Sequence, residues 1–115
     1  MTDVLTVTIK ESERYAVIYT DGYINDLGGD TIVQACLDLI TQGVRQFILN
    51  LDKSPSINSV GISFIIEAIE HIDAGGGSLA CCCLTPVVAK TFYIMRLTGA
   101  TTIYDTEVEA VEAMK

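Results

Sequence analysis

A chain of 115 residues, half of them apolar, has room for one hydrophobic core and not for two. Fifteen acidic residues against seven basic ones leave a net charge of −8. That balance argues against nucleic acid, which calls for a basic patch, and against anionic membranes, while it suits solubility or a basic protein partner.

Val4 to Glu11 alternates, with Leu5, Val7 and Ile9 set against Thr6, Thr8 and Lys10, and predicts a strand. Arg14 to Thr20 predicts a second, with Glu11-Ser12-Glu13 as the hairpin turn and Asp21-Gly22 as the stop. A loop through Asn25 and Gly28-Gly29 is expected next. Asp30 then caps a helix to about Gln42 that carries Ile32, Val33, Cys36, Leu39 and Ile40 on one face, and Gly43 ends it. Phe47 to Leu51 is the center of a buried strand. It runs through the polar turn Ser54-Pro55-Ser56-Ile57-Asn58 into an apolar-periodic helix that Gly75-Gly76-Gly77 terminates.

Leu79 to Leu84 is almost continuously apolar, the mark of a central strand covered on both faces. The uncharged stretch around it, Ala74 to Ala89, is broken by glycines and Pro86 and falls short of the roughly 20 apolar residues of a membrane span. Thr85-Pro86 starts another helix, expected to end at Thr98-Gly99. Thr102-Ile103-Tyr104 is a short edge strand and Glu107 to Met114 a last helix. The order ββαβαβαβα predicts a single α/β domain over residues 1–115. Its mixed sheet opens with a hairpin and is covered by helices through right-handed crossovers. Met1-Thr2-Asp3-Val4 has neither a basic n-region nor an apolar h-region, so a cytoplasmic protein without a secretory signal is expected.

The turn before the second helix is the most informative segment. A strand, a polar turn and a helix opening on Asn58-Ser59-Val60-Gly61 place serine hydroxyls and free backbone N–H groups at a helix N-terminus. Such a point can receive a phosphate, and it also fits a plain capped helix, since Asn and Ser are favored caps. At 100° per residue, Gly61, Ile62, Ile65, Ala68, Ile69 and Ile72 share the core face. Ser59, Ser63, Glu67, Glu70 and His71 fall outward, with Val60 among them and Phe64 at their edge. Val60 and Phe64 beside a polar loop are expected to be a contact surface, and exposed Phe64 and Ile66 would permit a weak homodimer.

Catalysis finds little support. No Ser/His/Asp set or carboxylate pair stands out, and no GxxxxGK[ST] phosphate loop is present. Gly75-Gly76-Gly77 follows a helix and precedes a strand, the wrong side for a dinucleotide fingerprint. Cys81-Cys82-Cys83 are consecutive and lack CxxC spacing, and His71 is the only histidine, so neither a metal site nor a cofactor is expected. The cysteines are read as small buried hydrophobes. A thiol enzyme using Cys81, Cys82 or Cys83 is the rival from another class. A nucleotide or other small ligand near Gly22 and Asn58 is a further alternative without a signature.

Nearly the whole chain resembles the STAS domains, specifically the bacterial anti-sigma factor antagonists. The resemblance rests on the opening hairpin, Gly22, the strand Leu49-Asn50-Leu51-Asp52 and the turn Asn58-Ser59-Val60-Gly61. It continues through the glycines before the central strand, Thr85-Pro86-Val87-Val88, Leu97-Thr98-Gly99 and Ile103-Tyr104-Asp105-Thr106. It implies a regulatory domain, not an enzyme, that binds an anti-sigma factor of the serine-kinase type and so releases a sigma factor. It also implies phosphorylation within an Asp-Ser-Ser/Thr-Gly motif. Aligned on Gly61, this chain has Asn58 in place of the Asp, Ser59 at the first Ser and Val60 at the usual acceptor, where no phosphate can be placed. The binding role therefore carries over more fully than the switch. The implied surface is Tyr23 and Asn25 from the Tyr23 to Leu27 loop, with Asn58, Ser59, Val60, Gly61, Ser63 and Phe64. Ser59 is the phosphorylation candidate. A STAS scaffold that is never phosphorylated, held in a larger signaling assembly, is the alternative.

Overall fold

The computed structural model describes residues 5–114, so Val4, the expected first strand residue, lies outside the described residues, as does the Met1-Thr2-Asp3 start. The alternating segment Thr6–Glu11 forms β1 and pairs antiparallel with β2, Ala16–Asp21, Glu11 lying opposite Ala16 next to the turn. Three parallel strands follow: β3 (Gln46–Lys53), β4 (Ser78–Cys82) and β5 (Thr102–Tyr104). The sheet order is β1-β2-β3-β4-β5, so each new strand is added beside the last.

Helices α1 (Asp26–Thr41), α2 (Ser59–Ala74) and α3 (Pro86–Ile94) connect the parallel strands. Because successive right-handed crossovers advance in one direction across the sheet, these helices fall on the same face. Their apolar stripes close the larger core: Ile32, Val33 and Cys36 of α1, Ile62, Ile65 and Ile69 of α2, and Val88 and Phe92 of α3 pack on Phe47, Leu49 and Cys81. Helix α4 (Glu107–Met114) lies on the other face, where Ala110 joins Val17, Ile48 and Cys82. Cys81 and Cys82 thus enter opposite cores, as consecutive strand residues must.

The small core under α4 is supplemented by a polar anchor. Glu107 accepts hydrogen bonds from Tyr19 Oη at 3.0 Å and Asn50 Nδ2 at 3.0 Å, and pairs with Lys10 Nζ at 3.4 Å. Partial burial works to raise the pKa of this carboxyl, but the hydrogen bonds from Asn50, Tyr19 and Lys10 outweigh it and hold the value below the usual one.

Three boundaries differ from the sequence expectation by more than a residue in ways that the structure explains. Helix α1 begins at Asp26, capped by Asn25, whose Oδ1 accepts from the Gly28 N–H at 3.0 Å. Gly28 and Gly29 therefore lie inside the helix and are buried, where a loop before an Asp30 cap was expected. The reason is tertiary. A Cβ on Gly29 would come within 2.6 Å of the Phe64 side chain, so glycine lets α1 and α2 approach closely. That contact overrides the low helix propensity of a Gly-Gly pair. Helix α3 ends at Ile94 instead of continuing to Thr98-Gly99; Arg96 turns into the left-handed region (φ 65°) and Leu97–Gly99 form a separate 3₁₀ turn. Strand β4 likewise stops at Cys82, because Cys83 has a φ of 62°.

Candidate functional site

Asn58 caps α2 as the sequence requires. Its backbone is extended (φ −100°, ψ 176°), and its Oδ1 accepts from the Gly61 N–H at 2.7 Å. The N–H groups of Ser59 and Val60 belong to the first turn and have no intrahelical acceptor. The turn is held from behind. Ile24 N–H donates to Ser56 O at 3.1 Å, and Asn58 N–H donates to Ile24 O at 3.1 Å, making a one-residue parallel bridge between Ile24 and Ile57. A Cβ on Gly61 would collide with the Ile24 carbonyl, so only glycine allows the α2 start to seat against the segment preceding α1. Below the turn, the buried hydroxyls of Thr20 and Ser54 bond at 2.6 Å.

The start of α3 belongs to the same construction. Thr85 Oγ1 donates to Pro55 O at 3.2 Å while also capping α3 by accepting from the Val88 N–H. Three helix N-termini thus stand side by side at the C-terminal end of the parallel strands. Each offers an exposed apolar residue at its second position: Leu27 on α1, Val60 on α2 and Val87 on α3. Val60 is 45% exposed, too open for a core residue. Exposed Tyr23 flanks them. The result is a platform of polar turns and apolar points on a hydrogen-bonded backbone.

The structure distributes the expected site residues unevenly. Tyr23, Ser59, Val60 and Ser63 are on the surface, the Ser63 hydroxyl donating to Ser59 O at 3.1 Å. Asn25 and Asn58 are half-buried and committed to capping, and Gly61 is buried. Phe64, expected at the edge of the outward face, is half-buried and packs against α1 at Gly29. Its ring is largely spent inside the domain, and Ile66 is only marginally exposed at 37%. Val87 was missed. The available signal was its place directly after Thr85-Pro86, the helical position that Val60 holds on α2.

Thiol chemistry is disfavored at three of the cysteines. Burial pushes the Cys36 and Cys81 thiols up to about 12, and it raises that of Cys82 as well, so little thiolate exists at neutral pH. Among the described residues no cluster of His, Cys, Asp or Glu could hold a metal ion, and no helix is long and apolar enough to cross a membrane. A depression of about 400 Å³ near the ends of β1, β2 and β3, lined by Thr8, Tyr19, Asp21, Asn50 and Asp52, does not include the Asn58 turn.

The fold has close counterparts. An anti-sigma factor antagonist from Mycobacterium paratuberculosis superposes with a TM-score of 0.84 at 16% identity, covering 96% of this chain and 93% of that one. A Thermotoga maritima protein provisionally assigned as an anti-sigma factor antagonist gives 0.86 at 21% identity, covering 94% and 93%. The Bacillus cell fate determinant SpoIIAA, in its phosphorylated form, gives 0.74 at 20% identity, covering 96% and 100%. No curated protein matches the chain in sequence. At these identities the likeness establishes the shared fold. A sequence model of the STAS domain matches residues 6–110, nearly all of the chain. With that match over the hairpin-led sheet and the helices on it, the chain belongs to the STAS domain family.

Proposed function

We propose that this chain, with residues 1–115 acting as one STAS domain, is an anti-sigma factor antagonist. It is a regulatory, non-catalytic protein that binds an anti-sigma factor of the serine-kinase type in the cytoplasm and so frees a sigma factor. The observation that carries the reading is the platform, where polar turns and the exposed Val60 are backed by the hydrogen bonds that Ile24 exchanges with Ser56 and Asn58 and that the Thr85 hydroxyl donates to the Pro55 carbonyl. Tyr23, Leu27, Ser59, Val60, Ser63 and the exposed edge of Phe64 are its contact residues. Asn25, Asn58 and Gly61 hold them in place.

Phosphorylation at Ser59 fits the reading. The hydroxyl is at the first residue of α2, where the helix dipole favors a doubly charged group while an interface formed without it loses its fit. The exposure of Val60 at the usual acceptor position favors a second reading, a STAS scaffold whose surface is never modified. Incubation with the kinase-type anti-sigma factor and ATP separates them. A single phosphate mapped to Ser59 by mass spectrometry supports the switch, and an unmodified chain that still binds supports the scaffold. Val60→Asp should abolish that binding without unfolding the protein, and undiminished binding would place the interface elsewhere.

A further inference from the structure

Helix α3 leaves an unusual surface bare at its C-terminal end. Only Val88 and Phe92 of this helix are buried, while Tyr93 is 74% exposed, Ile94 62% and the following Met95 41%. A run of consecutive exposed apolar side chains is disfavored in a folded domain unless it has a role. Tyr93 and Ile94, with Arg96, Thr98 and Gly99, line a depression of about 540 Å³. Ile94 lies about 10 Å along the helix from Val87, given a rise of roughly 1.5 Å per residue, so this surface is at the far end of α3 from the platform.

Its charge is also unlike that of the rest of the chain. Between Ala74 and Tyr104 the only charged residues are Lys90 and Arg96, both basic, in a protein of net charge −8. Neither forms an ion pair among the described residues. Arg96 adopts the left-handed conformation (φ 65°), with its N–H donating to Tyr93 O at 3.1 Å. Glycine is the usual occupant of such a helix-ending position, and a long side chain there meets the steric cost of the left-handed region. The arginine keeps a cation at the mouth of the depression despite that cost.

We infer that Tyr93, Ile94 and Met95, with Lys90 and Arg96, form a second docking surface that accepts an acidic protein segment. An apolar side chain of that segment fills the depression, and its carboxylates pair with Lys90 and Arg96. Lys90 and Arg96 are exposed beside these apolar side chains and neither is in an ion pair among the described residues, so both charges are open to a carboxylate within the roughly 10 Å that screening leaves. An anionic membrane is the poorer match, since a lipid surface, unlike a short segment, meets a whole face of a protein whose net charge is −8. The inference stands independently of the platform.

The test is an amide chemical-shift titration with a synthetic amphipathic helical peptide of about four turns bearing a leucine stripe flanked by glutamates. A lysine-flanked version serves as the control. The glutamate peptide should shift Met95, Thr98 and Gly99 while Asn58 to Gly61 stay unmoved, and the lysine peptide should bind roughly tenfold more weakly. Ile94→Glu should abolish the shifts. Arg96→Gly removes the charge but suits the backbone, so it should weaken binding without lowering thermal stability, which separates recognition from a folding defect. Equal binding of the two peptides, or shifts confined to Asn58 to Gly61, would overturn the proposal. So would phosphatidylglycerol vesicles binding the protein where the glutamate peptide does not. Self-association lost in Ile94→Glu would likewise overturn it, by making a second copy of the chain the occupant.

Discussion

The platform at the helix N-termini and the patch at the end of α3 both expose apolar side chains, yet they are built in different ways. The platform has a rigid backing. Its turns are tied by backbone hydrogen bonds through Ile24, Ser56 and Asn58, and Gly61 seats α2 directly against the Ile24 carbonyl. The patch has little behind it beyond Phe92 and Val88, and its exposed residues serve no internal purpose. Exposure alone therefore says little about a surface. What lies beneath it decides which substitutions disturb the fold and which disturb only recognition.

The contrast is sharpest at Phe92 and Tyr93, neighbors on α3 of which the first is buried and the second exposed. Phe92→Ala should cost about 3–5 kcal/mol in chemical denaturation, because a fully buried ring leaves a cavity. A cost under about 1 kcal/mol would mean that α3 is loosely held and that its bare face reflects poor packing. Next in size, Gly61→Ala should cost about 1–3 kcal/mol by forcing Ile24 and the α2 start apart, and it should weaken any partner that uses Val60. If stability is unchanged, the platform is softer than its hydrogen bonds imply.

Asn58→Ala removes one cap and should cost about 1 kcal/mol in thermal or urea unfolding, with Asn58→Asp largely restoring it. Failure of the aspartate to restore stability would show that the amide has a task beyond capping. The smallest effect is expected at Tyr93→Ala, within about 0.5 kcal/mol of the parent protein. A larger loss there would mean that the patch contributes to the core and would erase the distinction between the two regions.

Much of the platform was legible in the sequence, because its signals are local. Asn58 as cap and the buried set Gly61, Ile62, Ile65, Ala68, Ile69 and Ile72 follow from the periodicity of one helix. The start of α1 was not legible. Gly28-Gly29 has the composition of a loop, and only the side chain of Phe64, distant in the chain, explains why glycine is required at position 29 within a helix. The same contact turned Phe64 from an expected surface residue into a half-buried one. Val87 could be joined to Val60 only once Thr85 was seen bonded to Pro55.

By itself the sequence determined the order of elements, the family, the caps of α2 and α3, and the opposite facing of Cys81 and Cys82. Each of these depends on periodicity, on spacing, or on a residue's immediate neighbors. Tertiary structure alone decided where α1 begins, that three helix N-termini meet at one end of the sheet, and that the far end of α3 is bare. Those outcomes depend on which distant segments touch, and no local pattern encodes the space between them.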